Sequence, residues 1–104
     1  IERILKQQGV PDDVKYIALI ESGLTDVISP AGAAGFWQFM KQTAEDYGLE
    51  INDYVDERYD IEKSTLAACK YMKAAYKEFG SWPLAAASYN IGKGALSRSL
   101  ENKR

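Results

Sequence analysis

A single carboxylate, Glu21, lies on the apolar stripe of a predicted helix, at its last turn, and Ser22 follows it. A glutamate on the inner face of a helix is desolvated, which raises its pKa and suits it to donate a proton and later recover it. The 104 residues contain no histidine and one cysteine, Cys69, so Ser-His and Cys-His pairs and most zinc ligand sets are excluded. Any chemistry must use carboxylates, hydroxyls, amides or lysines. The alternative for Glu21 is a structural role, in which it pairs with a lysine or caps a neighbouring backbone.

The segment SPAGAAGFWQ, residues 29–38, joins glycines to an aromatic pair and an amide. Glycines let a backbone approach a ligand closely, and aromatic rings with nearby amides are typical of sugar-binding clefts. Gln38 can hydrogen-bond to ring hydroxyls or to an acetamido group. The alternative is that Phe36, Trp37 and Phe39 are core residues, and for Phe39 we prefer that interpretation.

The segment AAASYN, residues 85–90, gives a thin helix face that ends in a hydroxyl and an amide, those of Tyr89 and Asn90. Both side chains can contact a substrate, and the alternative is a tyrosine whose hydroxyl only caps a helix.

The spacing of apolar residues predicts an all-α domain, because no strict alternation is long enough for a strand. A first helix is predicted to begin at Pro11, to turn Glu21 inward and to end at Gly23. Residues 25–38 are predicted to form a closely packed loop. A short helix is then predicted from about Met40 to Tyr47, and a longer one is capped by Asp60 and stops at Gly80. Another helix is predicted from Ser81 or its neighbour to Gly92, and a last helical piece covers Ala95 to Leu100. The stripe of the longest helix consists of Ile61, Thr65, Ala68, Met72, Ala75, Tyr76 and Phe79.

Three short motifs occur in a fixed order: ES at Glu21, the glycine-led segment 29–38, and ASYN at residues 87–90. Together they resemble the signature motifs of the lytic transglycosylase SLT domain, in the goose-type lysozyme-like family. The intervening segment from Tyr54 to Ala68 is similar to that of a membrane-bound branch of the family. The resemblance covers about Val10 to Gly94 and implies a small lysozyme-like helical domain with a substrate cleft.

The resemblance implies cleavage of the β-1,4 bond between N-acetylmuramic acid and N-acetylglucosamine in peptidoglycan, without water as the nucleophile. By the same resemblance Glu21 is the single acid and base, and Tyr89 is the best candidate for a hydroxyl that holds or tunes it. Phe36 and Trp37 replace the usual Leu-Met of the second motif, which makes this part of the cleft bulkier. The residues assigned to substrate contact and positioning are Ser22, Ser29, Phe36, Trp37, Gln38, Tyr89 and Asn90.

Composition limits the other functions. With 46% hydrophobic and 27% charged residues, the chain fits one domain spanning residues 1–104, and we expect it to be truncated at the C-terminus relative to the family. A net charge of -2 with 13 scattered Lys and Arg argues against a nucleic-acid partner. Neither a metal nor an organic cofactor is implied. No apolar run approaches the roughly 20 residues that span a bilayer.

The predicted partners are peptidoglycan strands, in the bacterial cell envelope, periplasmic or attached to the outer membrane. Any signal, anchor or cell-wall-binding module is expected outside these residues.

Three alternatives remain open at this point. A hydrolytic lysozyme would need a second carboxylate about 6.5 to 9.5 Å away to activate water. The aspartates available for that role are Asp26, Asp53, Asp56 and Asp60, of which Asp56 and Asp60 are better explained as turn and cap residues. A non-catalytic peptidoglycan-binding or assembly module and a helical interaction domain with accidental motifs are the other two.

Overall fold

The structure, a computed structural model, describes residues 1–14 and 32–91, with side chains as far as Tyr89. In chain order the described elements are α1 (Glu2–Gln7), α2 (Lys41–Asp46), a 3-10 turn (Glu57–Tyr59), α3 (Ile61–Phe79) and α4 (Trp82–Ile91). Two isolated bridges are the only β pairing within these residues, and none of them forms a strand. The predicted all-α fold class is therefore confirmed.

Helix α3 is the central element, and both of its ends follow from local chemistry. The Asp60 carboxylate accepts a hydrogen bond from the Lys63 amide at 2.8 Å, and Gly80 ends the helix with φ of +76°. An N-cap and a left-handed glycine satisfy backbone groups that the helix leaves unpaired. Both predicted ends are confirmed, but Ile61 and Tyr76 of the predicted stripe are exposed. They lie in the first and last turns of α3, and Tyr76 still contacts the Trp82 ring of α4 at 4.4 Å.

Helix α4 packs along α3. Its N-terminus is capped by the Ser81 hydroxyl, which accepts from the Leu84 amide at 3.0 Å. Ala85 is fully buried, since a methyl side chain lets the two backbones approach. The Tyr71 hydroxyl of α3 donates to the Ser88 carbonyl at 3.0 Å and ties the two helices together. The helix predicted after Ser81 is confirmed, while Gly92 and the piece from Ala95 to Leu100 lie outside the described residues.

Helix α1 was not predicted from the sequence. It buries Ile4 and Leu5 and contacts α3. The chain then turns at Gly9, and Val10 and Val14 join the same core. The helix predicted to begin at Pro11 is described only as far as residue 14, so its course and its end lie outside the described residues.

Helix α2 matches the predicted short helix to within a residue at each end, and Gly48 follows it with φ of +93°. Among the described helices none is both long and apolar enough to cross a membrane.

Candidate active site

The second motif forms a tight reversal of the chain. Ala34 and Phe39 pair through two backbone hydrogen bonds, each 3.1 Å long. Between them the chain turns over residues 35–38, and the Gln38 amide donates to the Gly35 carbonyl at 3.1 Å. Gln38 has a left-handed φ of 51°, and its side-chain amide donates to the same carbonyl at 2.8 Å. We call residues 32–39 the motif loop.

Gly35 is required by close packing as well as by its φ of +80°. A β-carbon at this position would lie 2.0 Å from the Arg58 carbonyl oxygen and 2.6 Å from its carbon. Any other residue would therefore push the motif loop away from residue 58.

Trp37 is fixed on two sides. Its indole Nε1 donates to the Thr65 hydroxyl of α3 at 2.9 Å, and its carbonyl oxygen accepts from the Tyr89 hydroxyl of α4. The side chain is 1% exposed, a position that favours a core role over contact between its ring and a ligand. Phe39 is also buried, and the core interpretation preferred for it is confirmed. Phe36 is partly buried and meets the Trp37 ring edge-on at 5.6 Å.

Tyr89 brings the third motif against the second. Its hydroxyl bond to Trp37 joins residues 52 positions apart in the chain. Its ring makes edge-to-face contacts with Phe39 at 5.8 Å and with Tyr71 at 5.3 Å. Such contacts add to simple burial, so the ring has a defined orientation beside the motif loop.

Arg58 is a further residue that bonds to the motif loop, and sequence reasoning missed it. Its Nη1 donates to the carbonyl oxygens of Gly32 and Phe39, both at 3.0 Å. Its Nε and Nη2 bind the Asp56 carboxylate at 2.9 and 2.7 Å. Arg58 is 8% exposed, an unusual place for arginine unless its charge is paired.

The electrostatics follow from this pairing. Hydrogen bonds from the Arg58 side chain hold the pKa of the Asp56 carboxyl below its usual range, although partial burial opposes the shift. The same contact raises the pKa of the Arg58 guanidinium. Both groups stay charged over the physiological range. The D-x-R spacing in the sequence indicates a local ion pair, but it does not indicate that the Arg58 side chain is buried against the motif loop.

Several predicted site residues are not located by this geometry. Glu21, Ser22 and Ser29 lie outside the described residues, and Asn90 is described only by its backbone in α4. The structure therefore brings together Phe36, Trp37, Gln38 and Tyr89. No group of three His, Cys, Asp or Glu suited to a metal ion occurs in the described part of the chain.

A family model described as the transglycosylase SLT domain matches residues 1–104. The chain belongs to the transglycosylase SLT domain family. The membrane-bound lytic murein transglycosylase D of Escherichia coli K12 is 32% identical over 102 residues, which cover 96% of this chain and 23% of that protein. A protein of Alteromonas sp. strain M-1 named for tributyltin chloride resistance is 31% identical over 100 residues, covering 94% of this chain and 48% of that protein.

This SLT domain thus spans 23% and 48% of the length of these two curated relatives. The family resemblance predicted from the three ordered motifs is confirmed, and so is its similarity to the membrane-bound branch.

Proposed function

We propose that this SLT domain is a lytic transglycosylase that cleaves peptidoglycan strands at the bond between N-acetylmuramic acid and N-acetylglucosamine. The observation that carries the proposal is the Tyr89 hydroxyl bound to the Trp37 carbonyl, which places the second and third motifs side by side. Membership of the family and the name of the Escherichia coli relative support the same reaction. The proposed location is the bacterial cell envelope, where that substrate is found.

In the proposed reaction Glu21 acts twice. Its carboxylic acid protonates the glycosidic oxygen as the bond to C1 of the muramoyl sugar breaks. The resulting carboxylate then takes the proton from the C6 hydroxyl of the same sugar, whose oxygen bonds to C1 and gives a 1,6-anhydro end. An intramolecular nucleophile has a high effective concentration, so a second catalytic carboxylate is not needed.

Tyr89 is proposed to favour the acid form of Glu21. A carbonyl oxygen can only accept, so the phenolic hydrogen of Tyr89 points to Trp37. Toward any other partner the phenolic oxygen then acts as an acceptor, which a protonated carboxyl can satisfy and a carboxylate cannot. A hydrogen bond made only to the protonated form favours that form.

The remaining site residues are proposed to bind the glycan. Gln38, the last residue of the turn in the motif loop, and Phe36 are assigned to sugar contact, and Ser22, Ser29 and Asn90 to positioning. Because Trp37 is enclosed, we assign its ring to supporting Phe36 and its carbonyl to holding Tyr89.

Two of the four aspartates considered for a hydrolytic second carboxylate already have other partners. Asp56 is bound to Arg58, and Asp60 caps α3, so both are turn and cap residues as predicted. Of the other two candidates, Asp53 is exposed and Asp26 lies outside the described residues.

The test is digestion of purified murein by the 104-residue chain, with products identified by mass spectrometry. We expect 1,6-anhydro ends from the parent and a loss of at least about 100-fold in turnover for Glu21→Gln, with glycan binding retained. Glu62→Gln, on the exposed face of α3, is the matched control and should keep parent activity. Reducing ends without anhydro products would indicate a hydrolase. Binding without turnover by the parent would indicate a non-catalytic module.

A further inference from the structure

We propose that Arg58, held by Asp56, is a positioning residue of this site: it fixes both ends of the motif loop and thereby sets the Tyr89 hydroxyl. The inference rests on the proposed function, because Tyr89 is the group through which Arg58 would act on the reaction.

Arg58 contacts the motif loop at both ends and in the middle. Gly32 and Phe39 stand at its two ends, and one nitrogen, Nη1, donates to the carbonyl oxygens of both. The backbone of Arg58 meets the middle of the loop, where only a glycine fits at position 35. The loop is thus held at three points by one residue.

The orientation of the guanidinium is itself fixed. The Asp56 carboxylate accepts hydrogen bonds from Nε and Nη2 of Arg58, which leaves Nη1 directed at the motif loop. Both carboxylate oxygens take part, and the Asp56 Oδ1 also accepts from the Arg58 amide at 3.0 Å. Such a fork depends on the planar geometry of arginine, and the single ammonium of a lysine cannot reproduce it.

Stability alone does not account for this arrangement. Burying an ion pair removes both charges from water, and well-packed apolar residues often stabilise a fold as well or better. What the pair supplies in addition is a defined position for two carbonyl groups.

Trp37 connects the motif loop to Tyr89. The Phe39 carbonyl that Arg58 binds is two residues from the Trp37 carbonyl that Tyr89 binds. If Arg58 released Phe39, the acceptor of the Tyr89 hydroxyl would move with the chain. A displacement of about 1 Å in a catalytic arrangement can reduce a rate about 100-fold.

The first experiment is a double-mutant cycle on murein digestion with Arg58→Lys and Tyr89→Phe. We expect Arg58→Lys to lower kcat by about 10- to 100-fold, and to lower it by less than about 3-fold when Tyr89→Phe is already present, because coupled residues are not additive. The double variant Asp56→Asn/Arg58→Met, which removes both charges together, should show the same loss if Arg58→Lys does not fold. Additive losses, or a folded Arg58→Lys variant with parent kcat, would overturn the proposal.

The matched control is the neighbouring ion pair between Glu57 and Lys63, whose Oε2 and Nζ atoms are 2.6 Å apart. Glu57 belongs to the same 3-10 turn and Lys63 to the first turn of α3, and neither side chain contacts the motif loop in any described bond. Glu57→Gln/Lys63→Met should keep kcat within about 2-fold of the parent, since neither side chain has a described bond to the motif loop and the Lys63 end of the pair is exposed. An equal loss in this control would also overturn the proposal.

A spectroscopic measurement separates failure of this inference from failure of the proposed function. The chain has two tryptophans, so the Trp82→Phe background leaves the indole N–H of Trp37 as a single signal in a nitrogen-proton spectrum. We expect Arg58→Lys to shift that signal and speed its hydrogen exchange, with the control pair unchanged. This result is expected whether or not the chain degrades murein, and an unmoved signal would contradict the loop-positioning role.

Discussion

At the scale of single residues, the site depends on positions where one side chain type is sterically required. Gly35 is the clearest, because both its backbone conformation and the nearby Arg58 carbonyl exclude a β-carbon. Position 35 therefore links the motif loop to residue 58, which no sequence spacing indicates.

Gly35→Ala is expected to lower the free energy of unfolding by about 3 kcal/mol or more, because the clash with backbone adds to the cost of a left-handed alanine. Gly9→Ala is the matched control, since Gly9 has a similar φ of +74° but no atom within 4 Å of the added carbon. It should cost only about 1–2 kcal/mol. Urea unfolding of the two variants measures both values. Equal losses would show that packing against Arg58 is unimportant.

At the scale of elements, the motif loop lies between α3 and α4 and is joined to each by Trp37. An aromatic residue in a glycine-led segment can be a ligand contact or a core residue, and the sequence alone leaves both open. The contact with Thr65 favours the core role for Trp37, because the Thr65 hydroxyl accepts the indole N–H inside the protein. The ring can then be enclosed without an unpaired donor.

Tyr89→Phe tests the coupling of α4 to the motif loop. Removing the hydroxyl takes away the acceptor proposed for protonated Glu21, so the pKa of Glu21 should fall. The basic limb of the pH profile for murein cleavage should then move to lower pH, with kcat reduced about 10-fold or more. Tyr71→Phe is the control: it also removes a buried hydroxyl that bonds to α4, at Ser88, but it keeps the ring that contacts Tyr89 and leaves the Tyr89 hydroxyl in place. It should lower stability by about 1 kcal/mol and leave the pH profile unmoved. A profile that Tyr89→Phe does not shift would reject the tuning role.

Both ends of α3 and the start of α4 could be predicted because their causes are local. Asp60, Ser81 and Gly80 act within three or four residues of their own position, so the sequence contains the whole interaction. The inward Arg58 could not be predicted in this way. Its bonds to Gly32 and Phe39 cross 26 and 19 residues, and a charged residue is expected at the surface unless its partner is known. The family resemblance included the segment from Tyr54 to Ala68, which contains Arg58, but it did not indicate a role for this residue.

At the scale of the whole molecule, a short chain depends strongly on each buried interaction. A domain of this size is marginally stable, and the Arg58 and Asp56 pair connects the 3-10 turn to the motif loop, which in turn contacts α3 and α4. Arg58 is buried and Asp56 is partly buried, so losing the Asp56 charge leaves the guanidinium without its partner. Protonation of Asp56 should therefore weaken the molecule as a whole.

The acid response follows from the lowered pKa of Asp56. A carboxyl whose folded pKa is depressed stabilises the fold above its unfolded pKa, about 3.9, and loses that contribution as pH falls through the folded value. Asp56→Asn is neutral at every pH and leaves the Arg58 charge unpaired, so it should be less stable than the parent near pH 7, by about 1–3 kcal/mol because the Asp56 side chain is 25% exposed. The difference should shrink below about pH 4 as the parent also loses its charge. Urea unfolding from pH 7 to pH 2 measures this convergence, and a difference that stays constant with pH would show that the Asp56 charge does not support the fold.

Arg58→Lys provides the complementary case, because it keeps both charges. Its free energy of unfolding should still fall as the pH is lowered, although the variant loses the hydrogen bonds that position the motif loop.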